Sequence, residues 1–260
     1  MRVCVSGGAP LSPEVARFFI GLGLPLTEGY GLTEASPVIS GSPPQDCIPG
    51  SVGRPLADVE VRIGRQGELL ARGPNVMLGY WQQPEATRQA IDEDGWLHTG
   101  DVAEIREGNI VIRGRLKEVL VTSTGEKVPP ADMEMALTAD PLFDQAIVIG
   151  EGRPYLAALL VLNPESWIRF AGNLGLEHSD PNALDNPVAI KAALSRVQGC
   201  LKSFPGYAQV RAVQLMLKPW TVDNGLITPT MKVKRSQLEA HFADEIKHLY
   251  RGREVLQKRQ

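Results

Sequence analysis

Hydrophobic and polar positions along the first 35 residues predict a strand, a helix and a second strand. An apolar run at 2–5 predicts a buried strand, and Val15, Phe18 and Leu22 then recur at helical spacing. A second apolar run at 24–27 predicts the next strand. Two strands joined through a helix at this spacing favour a parallel βαβ unit.

Each of these two strands is followed by glycines. Gly7 and Gly8 follow the first, and the stretch 28–34, Glu-Gly-Tyr-Gly-Leu-Thr-Glu, follows the second. Ligands of parallel sheets lie beyond the carboxyl ends of the strands, where both glycine stretches fall. Glycines let a backbone approach a ligand, tyrosine offers a flat face, threonine can donate to phosphate, and a carboxylate suits Mg²⁺. The stretch 28–34 alone is equally typical of a glycine turn between two core strands.

The remaining pattern predicts two further parts. Short strands separated by glycine turns predict a small antiparallel sheet or barrel, with a helix over 84–91; the strands lie at 59–63, 68–72, 101–106 and 109–113. Beyond Arg115, longer elements alternate and predict an α+β lobe, with helices at 129–137, 187–204 and 236–250 and strands at 143–149, 155–162 and 211–217. The predicted fold class is therefore α/β followed by α+β.

Composition narrows the possible functions. The chain has 260 residues, 43% of them hydrophobic, with 27 Lys and Arg against 30 Asp and Glu. The formal net charge of −3 argues against a general nucleic-acid binder. Three widely spaced cysteines fit buried free thiols in a reducing compartment better than disulfides or a zinc site. Because no apolar run approaches membrane-span length, we expect a cytoplasmic protein with no transmembrane segment.

Several motifs in a fixed order carry a family resemblance. They are Ser6-Gly7-Gly8-Ala9-Pro10, Gly29-Tyr30-Gly31-Leu32-Thr33-Glu34, Gly67-Glu68-Leu69 with Gly79-Tyr80, Gly95-Trp96-Leu97-His98-Thr99-Gly100-Asp101, Gly114-Arg115-Leu116-Lys117-Glu118, Ser123-Thr124-Gly125-Glu126-Lys127 and Thr228-Pro229-Thr230-Met231-Lys232-Val233-Lys234-Arg235. Together they resemble the adenylate-forming (AMP-binding) superfamily. Within it the chain is most similar to long-chain fatty acyl-CoA synthetases, through Glu28, the form of the last motif and the helical segment 163–204.

The resemblance implies an ATP-dependent acid–CoA ligase that activates a carboxylic acid, expected to be a fatty acid, as acyl-AMP and transfers it to coenzyme A. The implied cofactors are ATP/AMP, Mg²⁺ and coenzyme A. In this family a Ser/Thr/Gly-rich phosphate loop lies well before the motif that starts at Ser6, and the 260 residues contain no such loop. We therefore expect the C-terminal portion of such an enzyme, inactive by itself, whose partner is the missing N-terminal domain. Peripheral membrane association of the parent enzyme is a further expectation.

Three parts follow from the resemblance. Residues 1–44 would be the remnant of the large nucleotide-binding domain, 45–115 a β-subdomain, and 116–260 a mobile C-terminal lobe.

The resemblance also assigns an adenine slot. Its expected lining is Gly7, Gly8 and Ala9, with Tyr30 stacked on the base. Gly29 and Gly31 are also expected to bind the cofactor. A glycine turn beside a core tyrosine is the structural alternative for these residues.

The ribose and phosphates have their own expected contacts. Asp101 would accept both ribose hydroxyls, and Arg115 would reach the ribose or phosphate region. Thr33 would contact the α-phosphate, and Glu34 would hold Mg²⁺. Without the resemblance, Asp101 is an aspartate ending a glycine turn and Arg115 a surface residue.

The lobe after Arg115 carries three expected functional positions. Lys117 matches the family's hinge, about which the lobe alternates between two half-reactions. Gly125 matches a loop lining the pantetheine tunnel, and Lys232 matches the lysine that stabilises charge during adenylation. Their structural alternatives are surface lysines and a plain hairpin turn.

Two other functions stay open from the residues. One is a truncated, non-catalytic fragment that binds nucleotide. The other is an adenylating domain that loads a carrier protein instead of coenzyme A.

Overall fold

The computed structural model describes residues 2–229 and 232–251. The chain divides after Glu118 into two compact units. The first unit contains strands β1 (Cys4–Ser6), β2 (Leu26–Gly31), β3 (Val38–Gly41), β4 (Arg54–Pro55), β5 (Glu60–Ile63), β6 (Glu68–Arg72), β7 (Leu97–Arg106) and β8 (Asn109–Arg115), with helices α1 (Pro13–Gly21) and α2 (Pro84–Ala90). The second contains strands β9 (Leu120–Val121), β10 (Lys127–Val128), β11 (Phe143–Ile149), β12 (Leu156–Leu162) and β13 (Val210–Met216), with helices α3 (Pro130–Thr138), α4 (Pro164–Asn173), α5 (Pro187–Cys200), α6 (Arg235–His241) and α7 (Ala243–Tyr250).

The first sheet has the order β1-β2-β3-β4 and confirms the predicted βαβ unit. Strands β1 and β2 are parallel, with α1 between them in the chain. The predicted end of the second strand is wrong, because β2 continues through the glycines as far as Gly31 and pairs Tyr30 with Ser40 of β3. The turn begins only at Thr33, in a short 3₁₀ helix.

The prediction that the first strand is buried is also wrong. Val3 is 44% exposed and Val5 is 73% exposed, and β1 is the edge strand of its sheet. The apolar side of α1 is exposed as well, with Phe18 and Leu22 both more than half accessible. Helical spacing therefore predicted the helix correctly, but the described residues do not cover this face.

The second sheet, β5-β6-β7-β8, is antiparallel throughout and confirms the predicted antiparallel sheet. One hydrophobic cluster joins both sheets, with Ala35 and Ile39 packed beside Val59, Ala71 and Leu97. Both sheets thus belong to one unit. The division predicted at residue 44 stays a prediction, and the one predicted after residue 115 lies three residues before the boundary between the units.

Strand β12 forms the centre of the second unit, which has the predicted α+β arrangement. It pairs antiparallel with β11 and parallel with β13, and every residue of the strand is buried. Since side chains alternate between the two faces of a strand, β12 supplies two cores. Ala158 and Leu160 belong to the core that contains Met133 of α3, whereas Leu159 belongs to the core that contains Leu238 of α6.

The single helix predicted over 236–250 is wrong, because the structure has two helices there. They meet at Phe242, whose φ of −104° and ψ of 30° depart from helical values. Leu238 precedes this break and Ile246 follows it, yet both side chains are buried in the same core. The break therefore separates two short helices that pack into the same hydrophobic core.

The cysteines and the helices bear on two further expectations. Cys4, Cys47 and Cys200 form no disulfide among the described residues, and each is half-buried and not fully buried as expected. Among the residues that the structure describes, no helix has the length and apolar character needed to cross a membrane.

Candidate functional site

The two glycine stretches lie side by side in the first unit. Strand β1 ends at Ser6, which aligns with Glu28 of β2, so Gly7 follows β1 beside the glycines with which β2 continues to Gly31. A Cβ atom added to Gly7 would lie 3.3 Å from the carbonyl oxygen of Gly29. Gly8 has a φ of +80°, a conformation that favours glycine. The predicted slot residues Gly7, Gly8 and Ala9 are all exposed, which leaves them accessible to a ligand.

Glu28 is buried at the start of this region. It is 5% exposed, and its Oε1 is a buried atom with no hydrogen-bond partner among the described residues. Burial raises the pKa of the Glu28 carboxyl, and a hydrogen bond from the Gly50 backbone opposes this shift. The glutamate that the sequence singled out is thus an inward-facing group.

Asp101 is a buried carboxylate with a partner on each oxygen. It is 6% exposed. The Tyr30 hydroxyl donates to Oδ2 over 2.5 Å, and Arg115 Nε donates to Oδ1 over 2.9 Å. The Asp101 backbone N–H donates to Thr99 Oγ1. Because these contacts offset the cost of burying the carboxylate, they hold it in a fixed orientation.

Tyr30 joins the glycine stretch to this carboxylate. Its ring packs against two hydrophobic clusters of the first unit, one of which is the cluster that joins the two sheets. Burial, and after it the charge of Asp101, raises the pKa of the Tyr30 phenol well above its usual range. The phenol is therefore a protonated donor at neutral pH. The packing of Tyr30 against these clusters matches the structural alternative stated for it, a core tyrosine. Stacking of the Tyr30 ring on a base stays a prediction.

Arg115 reaches Asp101 through the register of two strands. The residues are directly opposite in the β7–β8 pair, so their side chains meet across the strands. The Arg115 side chain is 53% exposed and that of Asp101 is 8% exposed. The guanidinium thus lies at the border between the buried carboxylate and solvent, where a bound anion could also contact it.

Glu68 supports the turn before Asp101, and sequence reasoning gave it no role. Its Oε1 accepts a hydrogen bond from the Gly100 backbone over 3.0 Å, and its Oε2 lies 2.8 Å from His98 Nδ1. Gly100 has a φ of +70°, so this N–H is held in a turn that favours glycine. No local pattern could have connected residues 68 and 100, because the register between β6 and β7 brings them together.

Thr33 and Glu34 lie in the 3₁₀ turn after β2. Thr33 is exposed and Glu34 is half-buried. The Tyr80 hydroxyl donates to Glu34 Oε1 over 2.7 Å. This hydrogen bond, and burial after it, raises the pKa of the Tyr80 phenol. Sequence reasoning quoted Tyr80 within a motif but missed this contact, which spans 46 positions of the chain.

The donor set around Glu34 fits Mg²⁺ in one particular way. The described residues contain no group of three or more His, Cys, Asp or Glu side chains that could hold a metal. Mg²⁺ is usually bound through one or two carboxylates together with substrate phosphates and water. A single carboxylate beside the exposed Thr33 hydroxyl suits a cation carried by a phosphorylated ligand.

The second unit holds Gly125 and Lys232, and Lys117 immediately precedes it. Lys117 is exposed in a 3₁₀ turn, Leu116–Glu118, just before the boundary between the units. Gly125 connects β9 and β10 with a φ of +85°, and a Cβ atom there would meet nothing within 4 Å. This hairpin matches the structural alternative for Gly125, whereas its role in a tunnel stays a prediction.

Lys232 is exposed and its backbone is tied to Thr228. The Lys232 N–H donates to Thr228 Oγ1 over 3.0 Å, and the Thr228 N–H donates to the Lys232 carbonyl over 2.8 Å. Thr230 and Met231 of the same motif lie outside the described residues. Thr228 and Lys232 are therefore joined by two hydrogen bonds.

Arg235 anchors the end of this motif, another contact that the sequence did not predict. Its Nη1 donates to the Val148 carbonyl over 2.7 Å, and its Nη2 donates to Glu134 Oε1. Glu134 also accepts a hydrogen bond from the Val148 N–H. The start of α6 is thus bound to both α3 and β11.

Two family models match most of the chain. The model described as AMP-binding enzyme matches residues 1–81, and the model described as AMP-binding enzyme C-terminal domain matches residues 117–254. The chain belongs to the AMP-binding enzyme family. This membership confirms the family resemblance proposed from the ordered motifs.

Curated relatives extend well beyond the matched region. A long-chain-fatty-acid–CoA ligase of Mycobacterium bovis is 38% identical over 96% of this chain and 42% of its own length. A chloroplastic long-chain-fatty-acid–[acyl-carrier-protein] ligase of Arabidopsis thaliana is 34% identical over 95% of this chain and 35% of its own length. The chain therefore spans about two fifths of the length of the relatives that it matches.

Solved structures of AMP-binding enzymes have the same fold. The A domain of carboxylic acid reductase from Segniliparus rugosus, in complex with AMP and a co-purified carboxylic acid, superposes with a TM-score of 0.75. It is 27% identical, and the match covers 95% of this chain and 38% of that one. This likeness confirms the predicted mixture of α/β and α+β structure.

In this member of the AMP-binding family, the predicted site residues fall into two sets. The structure brings one set together in the first unit, where the glycine stretches, Tyr30, Asp101 and Arg115 are contiguous. Glu34 has its own partner in the same unit, Tyr80. Gly125 and Lys232 lie in the second unit. The individual roles of all these residues stay predictions.

Gly29 and Gly31 of β2 provide a matched test of whether close backbone approach is the reason for glycine in this motif. A Cβ on Gly31 would lie 1.8 Å from the Pro37 carbonyl oxygen, whereas one on Gly29 would lie 3.5 Å from the Ser40 carbonyl oxygen. We expect Gly31→Ala to lower the free energy of unfolding by more than about 2 kcal/mol, because the backbone must move. Gly29→Ala should change it by less than about 0.5 kcal/mol. Urea denaturation followed by tryptophan fluorescence measures both, and equal losses would contradict the close-approach explanation.

Proposed function

We propose that this chain supplies the C-terminal part of an ATP-dependent acid–thiol ligase. The enzyme activates a carboxylic acid as acyl-AMP and then transfers the acyl group to a thiol. Membership of the AMP-binding family supports this reaction class, and the curated relatives favour a fatty acid as substrate. The free cysteines are in keeping with a reducing compartment such as the cytoplasm.

The observation that carries the proposal is the buried carboxylate of Asp101 beside the two glycine stretches. Tyr30 and Arg115 each donate to one of its oxygens. A carboxylate offers about four lone-pair positions, so it can accept ligand hydroxyls beside these protein donors. Its low exposure strengthens such hydrogen bonds, because competing water is scarce. This arrangement favours nucleoside recognition over a purely structural ion pair.

In the first half-reaction, the acid carboxylate attacks the α-phosphorus of ATP and pyrophosphate leaves. Thr33 would contact the α-phosphate, and Glu34 would hold Mg²⁺, which would supply positive charge against the phosphates. Lys232 places an ammonium near the reacting oxygens as negative charge develops on them. Its exposure and the flexibility of a lysine side chain are compatible with reaching a bound ligand.

In the second half-reaction, the thiol attacks the acyl carbon and AMP leaves. Lys117 is the pivot about which the lobe changes its pose, and its exposed 3₁₀ turn can absorb backbone rotation. Gly125 lines the path of the pantetheine arm. Open space around its Cβ position is compatible with this role.

The identity of the thiol separates two candidates. Coenzyme A is the acceptor named for one relative, and an acyl-carrier protein is the acceptor named for another. We favour coenzyme A because of the likeness to long-chain acyl-CoA synthetases in the last motif. Product analysis with both acceptors supplied in turn distinguishes the two.

Nucleotide binding by the purified chain tests the proposal directly. We expect Asp101→Asn to weaken AMP binding at least about tenfold, because a hydrogen bond to a charged group is lost. Asp46→Asn, at an exposed position, is the matched control and should bind AMP like the original chain. Isothermal titration calorimetry measures the dissociation constants. Equal affinities in the two variants would overturn the assignment of the ribose contact.

Adenylation by the 260-residue chain alone is expected to be absent. The sequence contains no Ser/Thr/Gly-rich phosphate loop, so no obvious group orients the leaving pyrophosphate. The chain is incubated with ATP, Mg²⁺ and a panel of fatty acids, and pyrophosphate release is measured. A rate above that of a Lys232→Ala control would show that the chain needs no further residues for this step.

Separate half-reactions can be tested in the full-length enzyme that we propose contains this chain. Lys232→Ala should slow acyl-adenylate formation about 10²–10³-fold, because it removes charge stabilisation specific to that step. Thioester formation from supplied acyl-adenylate should be largely retained. Gly125→Leu should have the opposite pattern, because a side chain narrows the pantetheine path. Rapid-quench assays measure the two steps.

Gly175→Leu is the control for backbone strain at Gly125. Gly175 also has a positive φ, +69°, and a Cβ atom there would likewise meet nothing within 4 Å. It should leave both half-reactions unchanged. Equal loss of both half-reactions in the Lys232 and Gly125 variants would contradict the alternation of the lobe.

A further inference from the structure

The loop between β6 and α2 holds the backbone around Glu34. The Met77 N–H donates to the Glu34 carbonyl over 2.8 Å. Asn75 Nδ2 donates to the Ala35 carbonyl over 3.1 Å and to the Val38 carbonyl over 2.8 Å. The backbone from Glu34 to Val38 is thus fixed by residues some 40 positions further along the chain.

The same loop also contacts the Glu34 side chain. Tyr80 donates its hydroxyl to Oε1 over 2.7 Å. A glutamate side chain has several rotatable bonds, and ordering it costs conformational entropy. A donor that holds one oxygen therefore restricts where the other oxygen, Oε2, can lie.

Tyr80 is itself anchored to α2. Its backbone N–H donates to Thr87 Oγ1 over 2.9 Å, and Thr87 Oγ1 donates to the Gln83 carbonyl. A Cβ on Gly79 would lie 2.7 Å from the Thr87 methyl carbon, so only glycine allows this approach. Tyr80 consequently lies in a loop that is anchored to a helix, and from there its hydroxyl reaches Glu34.

We propose that Tyr80 is a positioning residue for the cation-binding carboxylate of Glu34. Its hydroxyl holds Oε1 so that Oε2 is presented to a divalent cation bound to a nucleotide phosphate. This inference rests on the proposed function, which makes Glu34 the Mg²⁺ ligand. Hydrogen-bonding partners of metal-ligating carboxylates commonly orient them in this way, and their loss weakens metal binding.

A double-mutant cycle with Mn²⁺·ATP as the probe tests the inference. Water-proton relaxation enhancement measures the dissociation constant of the complex, because the relaxation rate rises when Mn²⁺ is immobilised on the protein. We expect Glu34→Gln to weaken binding of Mn²⁺·ATP, and Tyr80→Phe to weaken it about tenfold. In the Glu34→Gln background, Tyr80→Phe should have less than about a twofold effect, since the group it positions is altered.

Tyr207→Phe is the matched control, because Tyr207 is a half-exposed tyrosine of the second unit and removal of its hydroxyl should change nothing. If Glu34→Gln weakens binding and Tyr80→Phe does not, or if Tyr80→Phe tightens it, the positioning role is wrong while the metal role stands. An equal effect of Tyr80→Phe in both backgrounds also overturns positioning through Glu34. If Glu34→Gln binds Mn²⁺·ATP like the original chain, the metal role fails, and the positioning role fails with it.

Discussion

Burying the carboxylate of Asp101 is the constraint on which the first unit depends. An unpaired buried charge is costly, so both of its oxygens need donors. The donors come from two different sheets, with Tyr30 on β2 and Arg115 on β8. The stretch that the sequence marks as chemically important is thereby joined to a residue 71 positions away. Any ligand that uses this carboxylate meets a group whose orientation is already determined.

Close backbone approach at one position and a positive φ at another, and not flexibility, explain two glycines around this carboxylate. Gly31 lies so close to Pro37 that a side chain would overlap the backbone, while Gly100 has a positive φ immediately before Asp101. Glu68 holds the Gly100 N–H. These features make the site rigid, which lowers the entropy lost when a ligand binds. The same reasoning applies to Glu34, whose backbone and side chain are both held by one loop.

The second unit achieves order in a different way, through a strand that is buried on both faces. Leu159 and Leu160 are neighbours in β12 but belong to opposite cores. In the motif around Lys232, the described residues Pro229, Lys232 and Val233 are exposed. Arg235 connects the end of that motif to Glu134 and Val148. The exposed Lys232 therefore lies close in the chain to a residue that is firmly anchored.

The sequence alone determined most of the longer helices and strands and the family, because these depend on local patterns and on the order of motifs. The period of apolar residues predicted α1, and the near-continuous apolar run predicted β12. Local patterns could not predict that Phe18 and Val5 are exposed, since exposure depends on what packs against a face. They also ended the second strand at residue 27, although pairing with β3 extends it to Gly31.

The partners of the site were decided only by tertiary structure. Tyr30 and Asp101 were both named from sequence motifs, but their hydrogen bond requires the packing of two sheets. Tyr80 and Glu68 received no role, because the residues they contact are distant in the chain and adjacent only through strand register or loop packing. A motif specifies which chemical groups are present. Their distances and their burial, which decide how those groups behave, come from contacts that no local pattern contains.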